Sequence, residues 1–269
     1  MKRLVITMIA LAGCAGVHRY HPNFYSVDGD IRLGQQLEKE VEGDVVLLRL
    51  SALTQLVNGI GSRLREANGA NPAYRLFPYT FHVVDSPEVN AFALPGGPVY
   101  VNTALIELCD TEDQLAAVLA HEMSHVAARH ATEMLTTQNI TELALIAAIS
   151  VVPIPIPPIA WEGTKLGYVL GLLKYSRGKE AEADRLGLEL MYSAGYDPTE
   201  MAIVFRKLGE QQRSLPSVVE RFFSSHPLSE ERMHDAERRA AALPRPANAP
   251  VATAHTSTFS QVNLMFAKD

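Results

Sequence analysis

The chain has 269 residues, 47% of them apolar and 20% charged, with a formal net charge of −6. That length fits one large domain or two small ones, and the apolar share is enough for a real core. A mildly acidic balance without a basic stripe excludes a nucleic-acid binder held by phosphate contacts.

The first residues read as an address rather than as fold. Lys2 and Arg3 precede a short apolar run, Leu4 to Ala12, the pattern of a secretory signal. The run ends in Leu11-Ala12-Gly13-Cys14, which resembles the lipobox of bacterial lipoproteins. The resemblance implies a signal peptide over 1–13, cleavage before Cys14 and a lipid on that cysteine. Ala15, rather than Asp, follows the cysteine, which by analogy with enteric bacteria points to the outer membrane, facing the periplasm. With Cys14 acylated, Cys109 has no partner within the chain and is expected to be a buried small hydrophobe.

Residues 14–30 are polar and irregular and read as a tether. Apolar residues recur at helical spacing from Leu33 to Leu64, so 31–67 is expected to be helical with a break near Gly43. Tyr79-Thr-Phe-His-Val-Val and Pro98-Val-Tyr-Val-Asn read as strands, and Pro95-Gly96-Gly97 between them reads as a turn. A small antiparallel sheet is expected there. Asp110-Thr111 with Gln114 is a capping-box start, and no Gly or Pro interrupts 111–142. Residues 143–161 carry no charge, but their uninterrupted apolar run is short and prolines follow; a helix and an extended loop fit better than a membrane span. Helices are then expected over 175–194, stopped by Gly195, from Asp197-Pro198 onward, and over 229–242. A Pro/Ala-rich tail fills 243–269. The folded domain is thus expected to span 31–242.

The chemistry is concentrated at His121-Glu122-Met123-Ser124-His125. Residues four apart share a helix face, so both imidazoles can reach one metal ion, with Glu122 placed to take a proton from a water on that metal. A catalytic zinc site wants a third protein ligand. The metzincin position fails, because Ala128 and Ala131 stand where Gly and His are needed. The thermolysin position fails, because Ala144 and Leu145 occupy it. The best remaining candidates are Glu180 and Asp184, four apart on the 175–194 helix. One could bind the metal while the other braces a ligand imidazole. Ala181 and Ala183 would allow close packing on the motif helix, and Glu182 would point elsewhere. His130 is expected off the motif face, toward solvent, and His82 is expected to be structural.

These residues, with Ser176-Arg177-Gly178-Lys179-Glu180-Ala181-Glu182-Ala183-Asp184, Asn90-Ala91-Phe92-Ala93-Leu94-Pro95-Gly96-Gly97 and His226-Pro227 followed by Arg232, resemble the HtpX-like and CAAX-prenyl-protease family of zinc metallopeptidases, peptidase family M48. The resemblance covers about 33–240. It implies a mostly α, α+β zincin fold and one zinc ion per chain. The metal ligands would be His121, His125 and Glu180, with Asp184 orienting a ligand histidine. Glu122 would be the general base, and His226 and Arg232 would be donors to the oxyanion or, for His226, a fourth zinc ligand. Asn90, Ala91 and Phe92 would line the substrate cleft, where an extended peptide could pair by strand addition. The implied partners are polypeptide substrates, the membrane through Cys14 and envelope-assembly factors. The rival reading is an envelope chaperone or assembly factor that keeps the zinc fold with little proteolysis.

Overall fold

The backbone between the two strand-like runs makes a sharper construction than their flanking turn alone suggests. In the computed structural model, which describes residues 22–49, 52–67, 71–137 and 174–243, the chain forms β1 (Leu47–Leu48), β2 (Thr80–Val84), β3 (Ala91–Ala93) and β4 (Pro98–Asn102), in the sheet order β1-β2-β4-β3. Gly96 and Gly97 take φ of 80° and 134°, conformations that side chains resist, and they turn β3 back onto β4. That hairpin is antiparallel, with Phe92 opposite Tyr100. β4 then lies beside β2 in parallel, with His82 opposite Tyr100, while β1 pairs antiparallel to β2. The sheet is therefore mixed rather than wholly antiparallel. The turn's true partner strand is Ala-Phe-Ala, a run without β-branched residues that carries little strand signal.

Helices enclose this sheet. α1 (Val27–Asp44) starts at Ser26, whose hydroxyl accepts from the Gly29 N–H. It thus begins inside the stretch expected to be tether. Gly43 lies within its last turn; the expected single helical region breaks instead at Val45–Arg49, where β1 pairs with β2. α2 (Ala52–Arg65) buries Leu53, Leu56, Val57, Ile60 and Leu64, the spacing of one helix face. A 3-10 turn (Pro72–Leu76) and α3 (Thr103–Leu108) follow. Next comes α4 (Glu112–Ala127), capped by the Thr111 hydroxyl, which accepts from the Gln114 N–H. The Gln114 side chain accepts in return from the Asp110 N–H. Then come α5 (Arg177–Ala194), α6 (Thr199–Ser214), α7 (Pro216–Ser225) and α8 (Glu230–Ala242). The mostly α, α+β class stands. α3 and α7, like β1 and β3, are elements for which the sequence carries no expectation.

α1 crosses the Pro95–Gly97 turn so closely that a Cβ on Gly34 would sit 1.9 Å from the Pro95 carbonyl oxygen. Gly34→Ala is therefore expected to cost about 1–3 kcal/mol, the usual penalty for forcing atoms into a filled interior. A urea midpoint equal to wild type would show that helix and turn do not pack this way in solution.

Cys109 is buried and free; burial pushes its thiol up to about 12, so it behaves as a small apolar side chain. Among the described residues no helix is long and apolar enough to cross a membrane. Cys14, the signal segment, most of the 143–174 stretch and the tail beyond 243 lie outside the described residues.

Candidate active site

α4 is buried on all sides. All of Gln114 to Ala127 is inside the protein, so the helix needs an apolar background, and its alanine-rich sequence supplies one. The two middle residues of the motif fix its rotation. The Tyr74 hydroxyl pairs with Ser124 Oγ at 2.7 Å, and the Tyr79 hydroxyl donates to the Met123 carbonyl at 3.0 Å. With Met123 and Ser124 held by these tyrosines, His121 and His125 turn toward α5, the helix against which α4 packs most extensively, while Glu122 faces His226 at the end of α7. Ala183 is buried there, but Ala181 is exposed. The close approach is made by Gly187, where a Cβ would stand 3.3 Å from the His121 nitrogen and 3.0 Å from Met201.

The structure brings four ligand atoms together. His121, His125, Glu180 and His226 each offer one, all within 4.8 Å of one another and all buried, so the group could hold a metal ion. The two motif imidazoles face each other at 3.0 Å between Nε2 atoms. Glu180 lies 3.5 Å from His121 Nε2, 3.4 Å from His125 Nε2 and 3.1 Å from His226 Nδ1. His226 arrives on the C-terminal end of α7, its N–H donating to the Phe222 carbonyl. Glu122 is 1% exposed and neither carboxylate oxygen has a hydrogen-bond partner. The His226 Nε2 is 3.6 Å away from it.

Around this group stands a second set of charges. Asp184 Oδ1 is 2.9 Å from His121 Nδ1. Arg232 grips Asp184 with two parallel hydrogen bonds, Nε to Oδ2 at 2.7 Å and Nη2 to Oδ1 at 2.8 Å. Its Nη1 reaches Glu180 at 2.7 Å and the Pro227 carbonyl at 2.9 Å, and the guanidinium lies 5.0 Å from the centre of the Phe205 ring. The Arg232 donors thus face Asp184, Glu180 and a backbone carbonyl. Burial alone would push the His121 imidazole down, but the Asp184 and Glu180 carboxylates bring it up to about 10. Burial holds His125 well below its ordinary value. The Glu180 carboxyl, which burial would raise, is held well below the carboxylate range by His226, His121 and His125.

The charges count toward a cation. Glu122, Glu180 and Asp184 are three buried carboxylates around one permanent cation, Arg232. Buried charge is costly unless paired; with His121 neutral, as a metal ligand must be, the deficit of two is the charge of a divalent metal. The orphaned oxygens of Glu122 and the converging imidazole nitrogens fit the same group.

Asn90, Ala91 and Phe92 are buried at the outer edge of the sheet, where among the described residues β3 has β4 on one side only. Phe92 stacks on Tyr100 at 4.8 Å. One expectation is not met: His130 is 1% exposed, not solvent-facing. Glu182 does point away from the four converging ligand atoms, half exposed, with its carboxylate 3.4 Å from His130 Nε2. The uninterrupted 111–142 helix is what misplaced His130. On a continuous helix a residue five positions on sits roughly 140° round from His125. α4 instead ends at Ala127, Arg129 takes a left-handed φ of 58°, and a new helical stretch starts at residue 130. Tyr175, stacked on His125 with ring centres 4.0 Å apart, was also missed; its place directly before the Ser176–Asp184 motif is the one available signal.

A buried HExxH helix joined by a carboxylate from a second helix, on a small mixed sheet, defines an HExxH metallopeptidase domain. The chain belongs to peptidase family M48, whose model matches residues 51–240. It is 33% identical to the beta-barrel assembly-enhancing protease of Escherichia coli (strain K12) over 224 residues, 80% of this chain and 44% of that protein. A protein of the same name from Yersinia pestis is also 33% identical, over 222 residues. The mitochondrial metalloendopeptidase OMA1 of Schizosaccharomyces pombe is 32% identical over 222 residues, 80% of this chain and 62% of that protein. The chain thus spans about half the length of the relatives it matches.

Proposed function

We propose that this protein is a zinc-dependent endopeptidase acting on unfolded or unassembled proteins of the bacterial cell envelope. One observation carries the reading: four convergent ligand atoms beside a buried carboxylate that has no partner of its own. A pure scaffold has no use for that carboxylate, and leaving it unpaired costs stability. His121, His125 and Glu180 are the zinc ligands, and Asp184 orients His121. Zinc, when bound, supplies Lewis acidity toward a water and a peptide carbonyl. Glu122 accepts the proton of the attacking water and delivers it to the leaving nitrogen. Arg232 braces Asp184 and Glu180. His226, whose imidazole lies 3.1 Å from Glu180 and 3.6 Å from Glu122, would take the fourth ligand position and keep the site closed. An extended substrate adds to the free side of β3 at Asn90, Ala91 and Phe92 through backbone hydrogen bonds. The printed names of the Escherichia coli and Yersinia relatives, together with the lipobox-like run at Cys14, support an envelope setting with a lipid anchor and partners in outer-membrane assembly.

The test uses the purified chain and an unfolded protein such as reduced, alkylated casein. Cleavage should be lost on treatment with a chelator and return with stoichiometric zinc. Glu180→Ala should lose bound zinc; full zinc content in that variant would remove Glu180 from the ligand set. The second reading, an assembly factor that keeps the zinc fold, gains ground only if Glu122→Gln complements the envelope phenotype fully.

A further inference from the structure

We propose that His130 is a positioning residue that fixes the tautomer of His125 and, with Glu182, forms an outer support of the metal centre separate from Asp184. This rests on the reading of His125 as a metal ligand.

The two motif histidines are braced differently. His121 turns its Nδ1 to a carboxylate, Asp184, at 2.9 Å. His125 turns its Nδ1 to another imidazole, with His130 Nδ1 at 2.9 Å. Two neutral imidazoles hold such a contact only when one nitrogen donates and the other accepts. His125 Nε2 faces His121 Nε2 and Glu180, so it must keep its lone pair to serve as a ligand. The proton of His125 then sits on Nδ1, and His130 Nδ1 accepts it. His130 in turn carries its own proton on Nε2, which faces Glu182 Oε2 at 3.4 Å. One assignment satisfies every contact, running from the carboxylate through two imidazoles to the ligand nitrogen. The opposite assignment aims an N–H from His125 into the ligand group, where a cation could not bind.

His130 is held for this by a device outside α4. Arg129, in its left-handed conformation, donates to both oxygens of Asp30, at 2.6 and 3.0 Å, and to the Tyr25 carbonyl. Asn23 Nδ2 donates to Thr132 Oγ1, and the Phe24 N–H donates to Thr136 Oγ1, both at 3.0 Å. The segment leading into α1 therefore clamps the turn that swings His130 behind His125. The Tyr175 ring, stacked on His125 and 5.9 Å from the His130 ring centre, closes the remaining side. A carboxylate or carbonyl is the usual partner of a ligand histidine, and loss of such a partner typically costs about 10–100-fold in metal affinity.

The experiment measures zinc affinity by chelator competition in the full chain. His130→Phe is expected to bind zinc about 10–100-fold more weakly. His130→Asn places an amide oxygen near the former Nδ1 and should recover most of that loss. A merely structural role would lower thermal stability in both variants without separating their zinc affinities. Nitrogen-15 spectra of wild-type imidazoles give a readout that needs no variant to fold: His130 should be protonated on Nε2 alone. Unchanged affinity in His130→Phe, equal loss in both variants, or a proton on His130 Nδ1 overturns the proposal. His125→Ala is the control for the underlying reading. If it binds zinc like wild type, the ligand assignment itself fails, a result distinct from failure of the His130 role alone.

Discussion

Glu122→Gln is expected to lower peptide hydrolysis by about 10²–10⁴-fold, the usual contribution of a positioned general base, while zinc content stays at wild-type level. The two halves of this result come from different parts of the geometry. Glu122 is not among the four residues whose ligand atoms converge, so replacing it removes no metal ligand. Its oxygens nonetheless face the site without hydrogen-bond partners, so the substitution removes a buried carboxylate free to hold a proton there. Stability of the metal-free protein should not fall, because the variant trades a buried charge for a neutral amide of the same shape. Activity against unfolded casein, metal content and a denaturation curve, measured on one preparation, decide the matter. Near-wild-type cleavage with full zinc would take the general-base role away from Glu122.

The second large effect is expected at Arg232. Removing one member of a buried ion pair costs about 3–5 kcal/mol, because the partner is left charged in the interior. Arg232 has two such partners, Asp184 and Glu180. Arg232→Met is therefore expected to lose about 3 kcal/mol or more, read by denaturant unfolding with metal chelated. The lower end of the range is the better expectation for metal-free protein. His121, held up to about 10 by the same carboxylates, remains a cation between them. Arg232→Lys should recover only part, since an ammonium cannot make the forked contact with Asp184 and also reach Glu180. Asp184→Asn combined with Arg232→Met should cost less than the two changes summed, the mark of a direct interaction. A loss under about 1 kcal/mol in the single variant would mean that the guanidinium is solvated rather than buried.

Much of the site was legible because its parts are periodic. His121, Glu122 and His125 sit at helix spacing, and Glu180 and Asp184 repeat that spacing on α5, so two faces could be read before their meeting was known. What could not be read depends on single backbone events. Arg129 has the only left-handed φ of a non-glycine among the described residues, and nothing in its neighbours announces it. That one residue decides whether His130 faces water or His125. The sheet failed for a related reason. Ala91-Phe92-Ala93 gains its strand from the turn beside it, so pairing with β4 overrode a weak local preference. β1, only Leu47–Leu48, was absorbed into a helical pattern because its apolar residues continued the spacing of α1. The charge relation of Arg232 to Asp184 and Glu180 was also invisible as spacing, since residues 184 and 232 come from separate helices.

The span from His121 to Arg232 has a temporal meaning. A chain emerging from the ribosome displays the HExxH segment first, but its counter-ligand, its fourth imidazole and its guanidinium follow 59, 105 and 111 positions later. Such distant contacts form late, because long loops must close before they are rewarded. A nascent or truncated chain ending before His226 would carry the motif histidines and Glu180 with neither the latch nor the arginine that offsets the acidic cluster. Assembly of the full site is thereby deferred until the chain has been made through Arg232.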